Sequence, residues 1–207
     1  LDEVSDLTIR HEPCMHAVNA LFRDCEGGIW VATPYNGITY MPRPLKRVEH
    51  LELNPQGDNR PTMATCLAED SAGNLWIATD KHGVLRLRKD GQMDRNPFRG
   101  GSATFARDMR NVRTLLADEH RLWMGTSSGG VYAYDLHTGQ IRNYRNEPGV
   151  ATSLCDNEVE DLFRDVSGTI YAGTPWGFAR YWRNRDDFRR VNKGGNDLWV
   201  CDFAQGA

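Results

Sequence analysis

The sequence predicts an all-β protein, a β-propeller with four complete four-stranded blades and partial strands at both ends. Three observations lead to this prediction. One motif recurs four times at an even spacing, each copy contains four strand-like segments, and the turns between segments carry Gly, Asp, Asn and Ser. These residues allow tight reversals of an antiparallel chain. In addition, no segment shows the 3.6-residue apolar period of a helix.

Each copy of the motif contains an aromatic residue, a Thr and a Gly. The copies are GIWVATPYNGI (28–38), NLWIATDKHGV (74–84), RLWMGTSSGGV (121–131) and TIYAGTPWGF (169–178). Each of the three positions recurs every 46 to 48 residues, and so does an acidic residue placed before each copy. The four sets are Trp30, Trp76, Trp123 and Tyr171; Thr33, Thr79, Thr126 and Thr174; Gly37, Gly83, Gly130 and Gly177; and Asp24, Asp70, Asp118 and Asp165. Four strands at a period near 47 are typical of a propeller blade.

The strand patterns predict how each strand is buried. The first strand places apolar residues side by side, as in Leu21-Phe22 and Leu115-Leu116, so we expect both of its faces to be buried. The second strand carries the aromatic residue, assigned to the core, and then a small residue that lets a neighbouring sheet approach. The third strand alternates, as in VYAYD (131–135), and is expected to be half exposed. The repeated Asp is expected to accept backbone N–H bonds in a turn.

The repeats also predict the domain organisation, which is a single partial propeller over 1–207. LTIRHEP (7–13) resembles RNYRNEP (142–148), so we expect it to be the last strand of a preceding blade. NDLWVCDFAQG (196–206) resembles VEDLFRDVSG (159–168), so we expect it to be the first strand of a following blade. The chain is therefore interpreted as part of a larger propeller. The predicted blades are 18–51, 64–98, 112–145 and 159–191.

Composition and motifs argue against several function classes. The net charge of −3 gives no indication of a nucleic-acid partner or an acidic membrane surface. No stretch approaches 18 apolar residues, so we expect no direct membrane contact by this segment. HEPCMH (11–16) has no second ligand cluster, so no metal site is predicted. No phosphate loop or nucleophile elbow is present, and we predict no catalytic residue and no cofactor.

Strand parity predicts where a ligand would bind. Alternate turns of an antiparallel blade lie at the same end, so the loops between second and third strands share a face with the blade connections. These loops surround the central channel, a common place for a ligand. Aromatic faces with amide, carboxylate and guanidinium groups suit sugars. Turn geometry or local packing is the alternative role of each candidate. The candidate ligand-binding residues are Tyr35, Asn36, Arg60, Lys81, His82, Asn157 and Trp176.

A basic stretch near the end of the chain allows two interpretations. RYWRNRDDFRRVNK (180–193) contains six basic residues and two acidic ones. It could favour an anionic saccharide. Alternatively, it is a set of solvated edge strands protected by charge.

The segment VATSLCDNEVEDLFRDVSGTIYAGTPWGFARY (150–181) resembles the two-component regulator propeller repeat. That repeat has Leu-Ser-x-Asn, a short apolar strand, Asp, Gly, an apolar-Trp-apolar-Gly-Thr run and then Gly-apolar-x-Arg-Tyr. The resemblance extends over nearly the whole chain, four times. The sequence departs from the pattern in three ways. Tyr171 replaces the Trp, DEHRLW (118–123) lacks the Gly, and Ala32 and Ala78 stand where Gly is usual.

The resemblance implies the periplasmic sensor region of a hybrid two-component histidine kinase, mainly of gut Bacteroidetes. In that family, seven-bladed propellers detect carbohydrates. This implies an oligosaccharide ligand, a homodimeric receptor and no enzymatic activity in this segment. One alternative is a propeller enzyme, a polysaccharide lyase or glycosidase, which would need paired carboxylates or metal-bound histidines on one face. The six histidines occupy no common repeat position. The other alternative is a protein-interaction scaffold that uses the same loops.

Overall fold

The computed structural model describes residues 18–33, 37–42, 49–51, 53, 62–80, 82–98, 100–191, 200 and 203. These residues form four antiparallel sheets of four strands each, and each sheet is made of consecutive strands. The predicted all-β class with four-stranded blades is therefore confirmed. The strand predicted at 7–13 lies outside the described residues. Of the strand predicted at 196–206, the structure describes Val200 and Phe203, so both assignments stay predictions.

The sheets follow one another along the chain, and we number them 1 to 4. Sheet 1 contains β1 (Ala20–Arg23), β2 (Ile29–Ala32), β3 (Ile38–Met41) and β4 (Glu49–Leu51). Sheet 2 contains β5 (Ala64–Glu69), β6 (Leu75–Thr79), β7 (Val84–Leu87) and β8 (Met93–Asp94). Sheet 3 contains β9 (Val112–Ala117), β10 (Arg121–Thr126), β11 (Val131–Asp135) and β12 (Ile141–Tyr144). Sheet 4 contains β13 (Asp161–Arg164), β14 (Ile170–Thr174), β15 (Gly177–Trp182) and β16 (Asp187–Arg190).

The first strands of successive sheets lie beside one another, which gives the radial arrangement of a propeller. Hydrogen bonds join these inner strands. Thr65 Oγ1 donates to the Val112 carbonyl at 2.8 Å, and Thr114 Oγ1 donates to Asp161 Oδ1 at 3.2 Å. Because each bond joins one sheet to the next, the sheets stack side by side around an axis.

The core lies between neighbouring sheets, and β6 shows how it is built. Leu75 and Ile77 pack in the cluster between sheets 1 and 2, whereas Trp76 and Ala78 pack in the cluster between sheets 2 and 3. All four are buried. Period-two alternation therefore places apolar residues on both faces of a central sheet. A third cluster fills the space between sheets 3 and 4.

Two burial predictions are wrong. The third strand of sheet 3 is not half exposed, because Val131 to Tyr134 are all buried between sheet 4 on one side and sheet 2 with a short helix on the other. The first strand is not always buried on both faces, because Leu21 is 68% exposed. Among the described residues, sheet 1 packs against one other sheet, so one face of β1 has no described sheet over it.

The repeated aromatic residues occupy equivalent positions but differ in burial. Trp76 and Trp123 are 0% and 1% exposed, whereas Trp30 and Tyr171 are half-buried. Trp30 stacks on Tyr40 of its own sheet, with ring centroids 4.2 Å apart. Tyr171 lies on the face of sheet 4 that points away from sheet 3. The core prediction therefore holds fully in the two central sheets.

The repeated Asp joins the first turn of each blade to the aromatic residue. In sheet 2, Asp70 Oδ1 accepts the backbone N–H bonds of Ala72 and Asn74 at 3.0 and 2.9 Å, as predicted. Its second oxygen accepts a bond from the Trp76 indole, which the sequence analysis missed. Tyr171 can replace the Trp of the repeat because its hydroxyl donates to the equivalent carboxylate, that of Asp165. The four pairs are Asp24–Trp30 at 3.1 Å, Asp70–Trp76 at 2.8 Å, Asp118–Trp123 at 2.8 Å and Asp165–Tyr171 at 3.2 Å.

A small residue in the second strand allows close approach, as predicted. A Cβ atom added at Gly125 would lie 2.5 Å from Thr114 Cγ2 and 2.7 Å from Val159 Cγ1. Val159 belongs to the connection into sheet 4. The absence of a side chain at this position therefore brings the sheets together.

A short helix, α1 (Ala103–Asp108), interrupts the connection between sheets 2 and 3 and continues into a 3₁₀ turn (Met109–Asn111). No helix was predicted from the sequence. Ser102 caps α1, because its Oγ accepts the backbone N–H of Phe105 at 3.1 Å. Phe105 packs edge-on against Tyr132, with ring centroids 5.3 Å apart. Six residues are too few to show a helical period.

Asp186 links the outer parts of sheets 3 and 4. Its carboxylate accepts bonds from Tyr144 Oη at 2.6 Å and Arg121 Nη1 at 3.0 Å, and also from Tyr181 and Arg142. Among the described non-glycine residues, Asp186 alone has a positive φ, of 54°. Burial alone would raise the pKa of Asp186. The bonds from Tyr144, Tyr181 and Arg121 outweigh burial and lower the pKa to about 2.

The Asp186 network predicts a loss of stability in acid. A carboxyl group whose pKa is lowered in the folded state stabilises that state above its unfolded pKa, about 3.9, and loses the contribution as the pH falls toward 2. We expect Asp186→Asn to reduce the free energy of unfolding by about 1 kcal/mol at neutral pH, a value discounted for solvent screening. The difference from wild type should shrink between about pH 4 and pH 2. Urea unfolding at several pH values tests this, and a difference independent of pH would contradict it.

Candidate functional site

The second-to-third-strand turns are fixed by a Thr clamp at their base. Thr126 Oγ1 donates to the Gly130 carbonyl at 2.9 Å and accepts the Gly129 N–H at 2.8 Å. Thr33, Thr79 and Thr174 make the same bond to the carbonyls of Gly37, Gly83 and Gly177 at 3.1, 2.7 and 2.7 Å. All four Thr side chains are buried. The repeated Thr therefore holds the turn and leaves its tip available.

The turns and the blade connections meet at one end of the sheets, which we call the loop face. Ser127 N donates to the Asn111 carbonyl at 3.0 Å, and Gly130 N donates to the Asn157 carbonyl at 2.9 Å. Each bond ties the β10–β11 turn to a blade connection. The described turns and blade connections therefore share one face, as strand parity predicted.

Three of the predicted site residues lie on the loop face. His82 and Trp176 occupy equivalent turns, in sheets 2 and 4, and both are exposed. Trp176 is 59% exposed, and its backbone N–H is held by Thr174 Oγ1 at 3.3 Å. Tyr35, Asn36, Arg60 and Lys81 lie outside the described residues. Their assignment to a ligand site stays a prediction.

Asn157 has a structural role at the same face. It is half-buried, and its Oδ1 accepts the backbone N–H of Asn146 at 2.9 Å. Asn146 in turn donates through Nδ2 to the carbonyls of Leu154 and Cys155 at 2.8 and 2.6 Å. The Asn157 side-chain oxygen therefore holds the connection between sheets 3 and 4. Its use as a ligand contact stays a prediction.

A charged pair beside the β10–β11 turn was not predicted from the sequence: Arg145 Nη1 lies 3.9 Å from Asp108 Oδ2. Arg145 donates to the Ser128 carbonyl at 3.2 Å and the Gly129 carbonyl at 3.3 Å. The buried Asp108 accepts a bond from Tyr132 Oη at 2.8 Å. Burial, together with this bond, raises the pKa of Tyr132 to about 12. Because Asp108 belongs to the missed helix, no sequence pattern placed it near this turn.

Comparison with known families assigns one of the repeats. Residues 60–81, which contain β5 and β6, match the model of the two component regulator propeller. Over these residues the chain is similar to one two component regulator propeller repeat. Within the described part of this match lie Asp70, Trp76 and Thr79, which form the carboxylate–indole bond and the turn clamp of sheet 2. The family resemblance noted in the sequence is therefore confirmed.

Solved structures share the propeller-repeat architecture. The extracellular domain assigned to the hybrid two component system BT4673 of B. thetaiotaomicron is 22% identical, with a TM-score of 0.66 over 89% of this chain and 23% of that one. The corresponding domain of BT3049 is 18% identical, with a TM-score of 0.64 over 88% and 24%. The gluconolactonase XC5397 of Xanthomonas campestris is 15% identical, with a TM-score of 0.57 over 86% and 62%.

The likeness to these structures shows the fold. The chain spans about a quarter of the length of these two extracellular domains. No curated protein matches the sequence.

Within the described ranges the structure shows neither a metal-binding cluster nor a membrane-spanning helix. No three His, Cys, Asp or Glu side chains there are grouped so as to hold a metal ion. No helix in that part of the chain is long and apolar enough to cross a membrane.

Proposed function

We propose that the chain is a periplasmic, non-enzymatic ligand-sensing propeller of a hybrid two-component histidine kinase. It binds an oligosaccharide at the loop face, and the receptor transmits occupancy to the kinase. The match at 60–81 and the likeness to extracellular domains assigned to hybrid two component systems support this proposal. The gluconolactonase shares the architecture, but its likeness is weaker.

The observation that carries the proposal is the exposed indole of Trp176 on a clamped turn. The indole of Trp176 is 59% exposed and presents a flat apolar face to a partner molecule. The turn is short, and Thr174 binds both the Gly177 carbonyl and the Trp176 N–H, so the ring is presented on a fixed base. Aromatic faces contact the C–H surfaces of sugars without requiring a charged ligand.

Binding at the loop face would act on the kinase through a population shift. A ligand that contacts several turns at once favours the receptor arrangement in which those turns are correctly spaced. The clamped turns suit this role, because each continues into a second strand that pairs with the inner strand of its sheet. We propose that the receptor is a homodimer in which ligand occupancy changes the relation between the two copies.

Substitution of Trp176 tests the site directly. In the full-length protein, Trp176→Ala should weaken oligosaccharide binding by about 1–3 kcal/mol, by analogy with other aromatic stacking platforms. Trp176→Phe, which keeps an aromatic face, should retain most of the affinity. Isothermal titration against a panel of plant and host glycans gives the measurement. If Trp176→Ala binds the glycan as tightly as wild type, the proposed site is wrong and the interaction-scaffold alternative gains support.

A further inference from the structure

A groove lies at the opposite end of the sheets from the loop face, where sheets 3 and 4 meet. Its volume is 670 Å³, which is within the range of about 300–1,000 Å³ found for ligand sites. The walls come from the β9–β10, β13–β14 and β15–β16 turns and the strand ends beside them. The repeated aspartates Asp118 and Asp165 lie in its walls. The other charged and aromatic wall residues include Glu119, His120, Arg164, Arg180, Trp182 and Arg183.

Three arginines line the groove. Arg164, Arg180 and Arg183 are exposed, and none forms a salt bridge with another residue in the described part of the chain. Their guanidinium N–H groups are therefore available as hydrogen-bond donors to a ligand in the groove.

The walls also contain carboxylates, but within the described part of the chain none of them forms a salt bridge with these arginines. Asp118 accepts two backbone N–H bonds and the Trp123 indole bond within its own turn. Asp165 accepts the backbone N–H bonds of its own turn and the Tyr171 hydroxyl. Hydrogen bonds from Ser167 are the main cause that lowers the pKa of Asp165. Both groups are therefore already hydrogen-bonded, and Glu119 is the remaining acid among the walls.

Trp182 restrains one of these arginines. The Arg180 guanidinium lies 5.0 Å from the centre of the Trp182 ring, and that of Arg189 lies 4.3 Å from it. Cation–π contacts of this kind hold the guanidinium groups over the ring. Because Arg180 is partly ordered before a ligand arrives, binding requires less loss of side-chain freedom.

We propose that this groove binds an oligosaccharide that carries carboxylate or sulfate groups. Guanidinium groups pair with such oxyanions through two parallel hydrogen bonds. Ser167, Thr169 and Asn184 line the same groove and offer hydroxyl and amide groups for sugar hydroxyls. The ring of Trp182 already contacts guanidinium groups, so it does not offer the open stacking face that a nucleic-acid base needs. The site is separate from Trp176 and goes beyond the proposed function.

Titration of the full-length protein with a heparin oligosaccharide and an oligogalacturonate tests the groove and separates sulfate from carboxylate recognition. We expect at least one probe to bind, with an affinity that falls as salt is raised. Arg164→Gln and Arg183→Gln should each weaken binding by about tenfold, because each removes a charge-assisted pair. The matched control is Arg110→Gln, an exposed arginine of the 3₁₀ turn, which should change affinity by less than about twofold.

Three results would overturn the proposal. The first is failure of both probes to bind wild type at low salt. The second is an equal loss of affinity in Arg110→Gln. The third is equal affinity for polyglutamate or single-stranded DNA, which would show general attraction to polyanions. Trp176→Ala should leave the affinity for the anionic probes unchanged, so failure at the groove and failure at the loop face can be told apart.

Discussion

Replacing Trp76 with Ala is expected to lower the free energy of unfolding by about 3–5 kcal/mol. The side chain is 0% exposed and fills the space between sheets 2 and 3. Its ring contacts Phe98 and Tyr134, with centroids 6.0 and 6.2 Å away. Its removal also leaves Asp70 Oδ2 without the indole donor that lies 2.8 Å away. Loss of buried contacts and loss of a partner for a buried carboxylate act in the same direction.

Urea unfolding of Trp76→Ala measures this effect, and Trp176→Ala is the matched control. The same atoms are removed in both variants, but Trp176 is 59% exposed and should change the stability by less than about 1 kcal/mol. If the two variants unfold at the same urea concentration, the assignment of Trp76 to the inter-sheet core is wrong.

Gly130→Ala is expected to destabilise the fold by about 3 kcal/mol or more. The residue has a φ of 79°, which costs an L-residue with a side chain about 1 kcal/mol. An added Cβ would also lie 2.2 Å from the Tyr144 carbonyl oxygen, a backbone atom of the neighbouring strand. The overlap can be relieved by moving the turn away from β12, which would disturb the pairing of β11 with β12 and the Thr126 clamp.

Gly149→Ala separates the clash from the backbone strain. Gly149 has the same φ of 79°, but nothing lies within 4 Å of an added Cβ. Gly149→Ala should lower the free energy of unfolding by about 1 kcal/mol. Thermal and urea unfolding of the two variants give the comparison, and equal losses would show that the close approach at Gly130 is relieved without cost.

The sequence could predict the blades because the repeat marks their structural positions. Asp70, Trp76 and Thr79 each satisfy a local geometric need of the turn or the sheet, and that need recurs in each copy. The solvent exposure of side chains could not be predicted from the repeat in the same way. Leu21 and Leu115 have the same place in the repeat, yet Leu21 is 68% exposed and Leu115 is 5% exposed. Their burial depends on which sheet covers them, and the repeat does not carry that information.

Less of the candidate site than of the fold could be predicted from the sequence. Strand parity placed His82 and Trp176 at one end of the sheets, because parity depends on the strand order alone. It could not show that the Asn157 side chain is already bonded to Asn146, since that contact depends on the path of the blade connection. The basic stretch 180–193, which contains Arg180 and Arg183, was recognised from the sequence, but Arg164 was not placed beside it. Arg164 ends β13, whereas Arg180 lies in β15 and Arg183 in the turn after it, and folding brings them together.

Hydrogen–deuterium exchange on the full-length protein, with and without a bound neutral oligosaccharide, is the most direct test of the central claim. A glycan bound to the loop face should slow exchange in the turns at 79–83, 126–130 and 174–177, because their tips would become covered and the Thr clamps held closed. The groove turns at 118–120 and 164–169 should be unaffected. Protection confined to those groove turns, or no glycan that binds and no change in exchange, would contradict a saccharide sensor that uses the loop face.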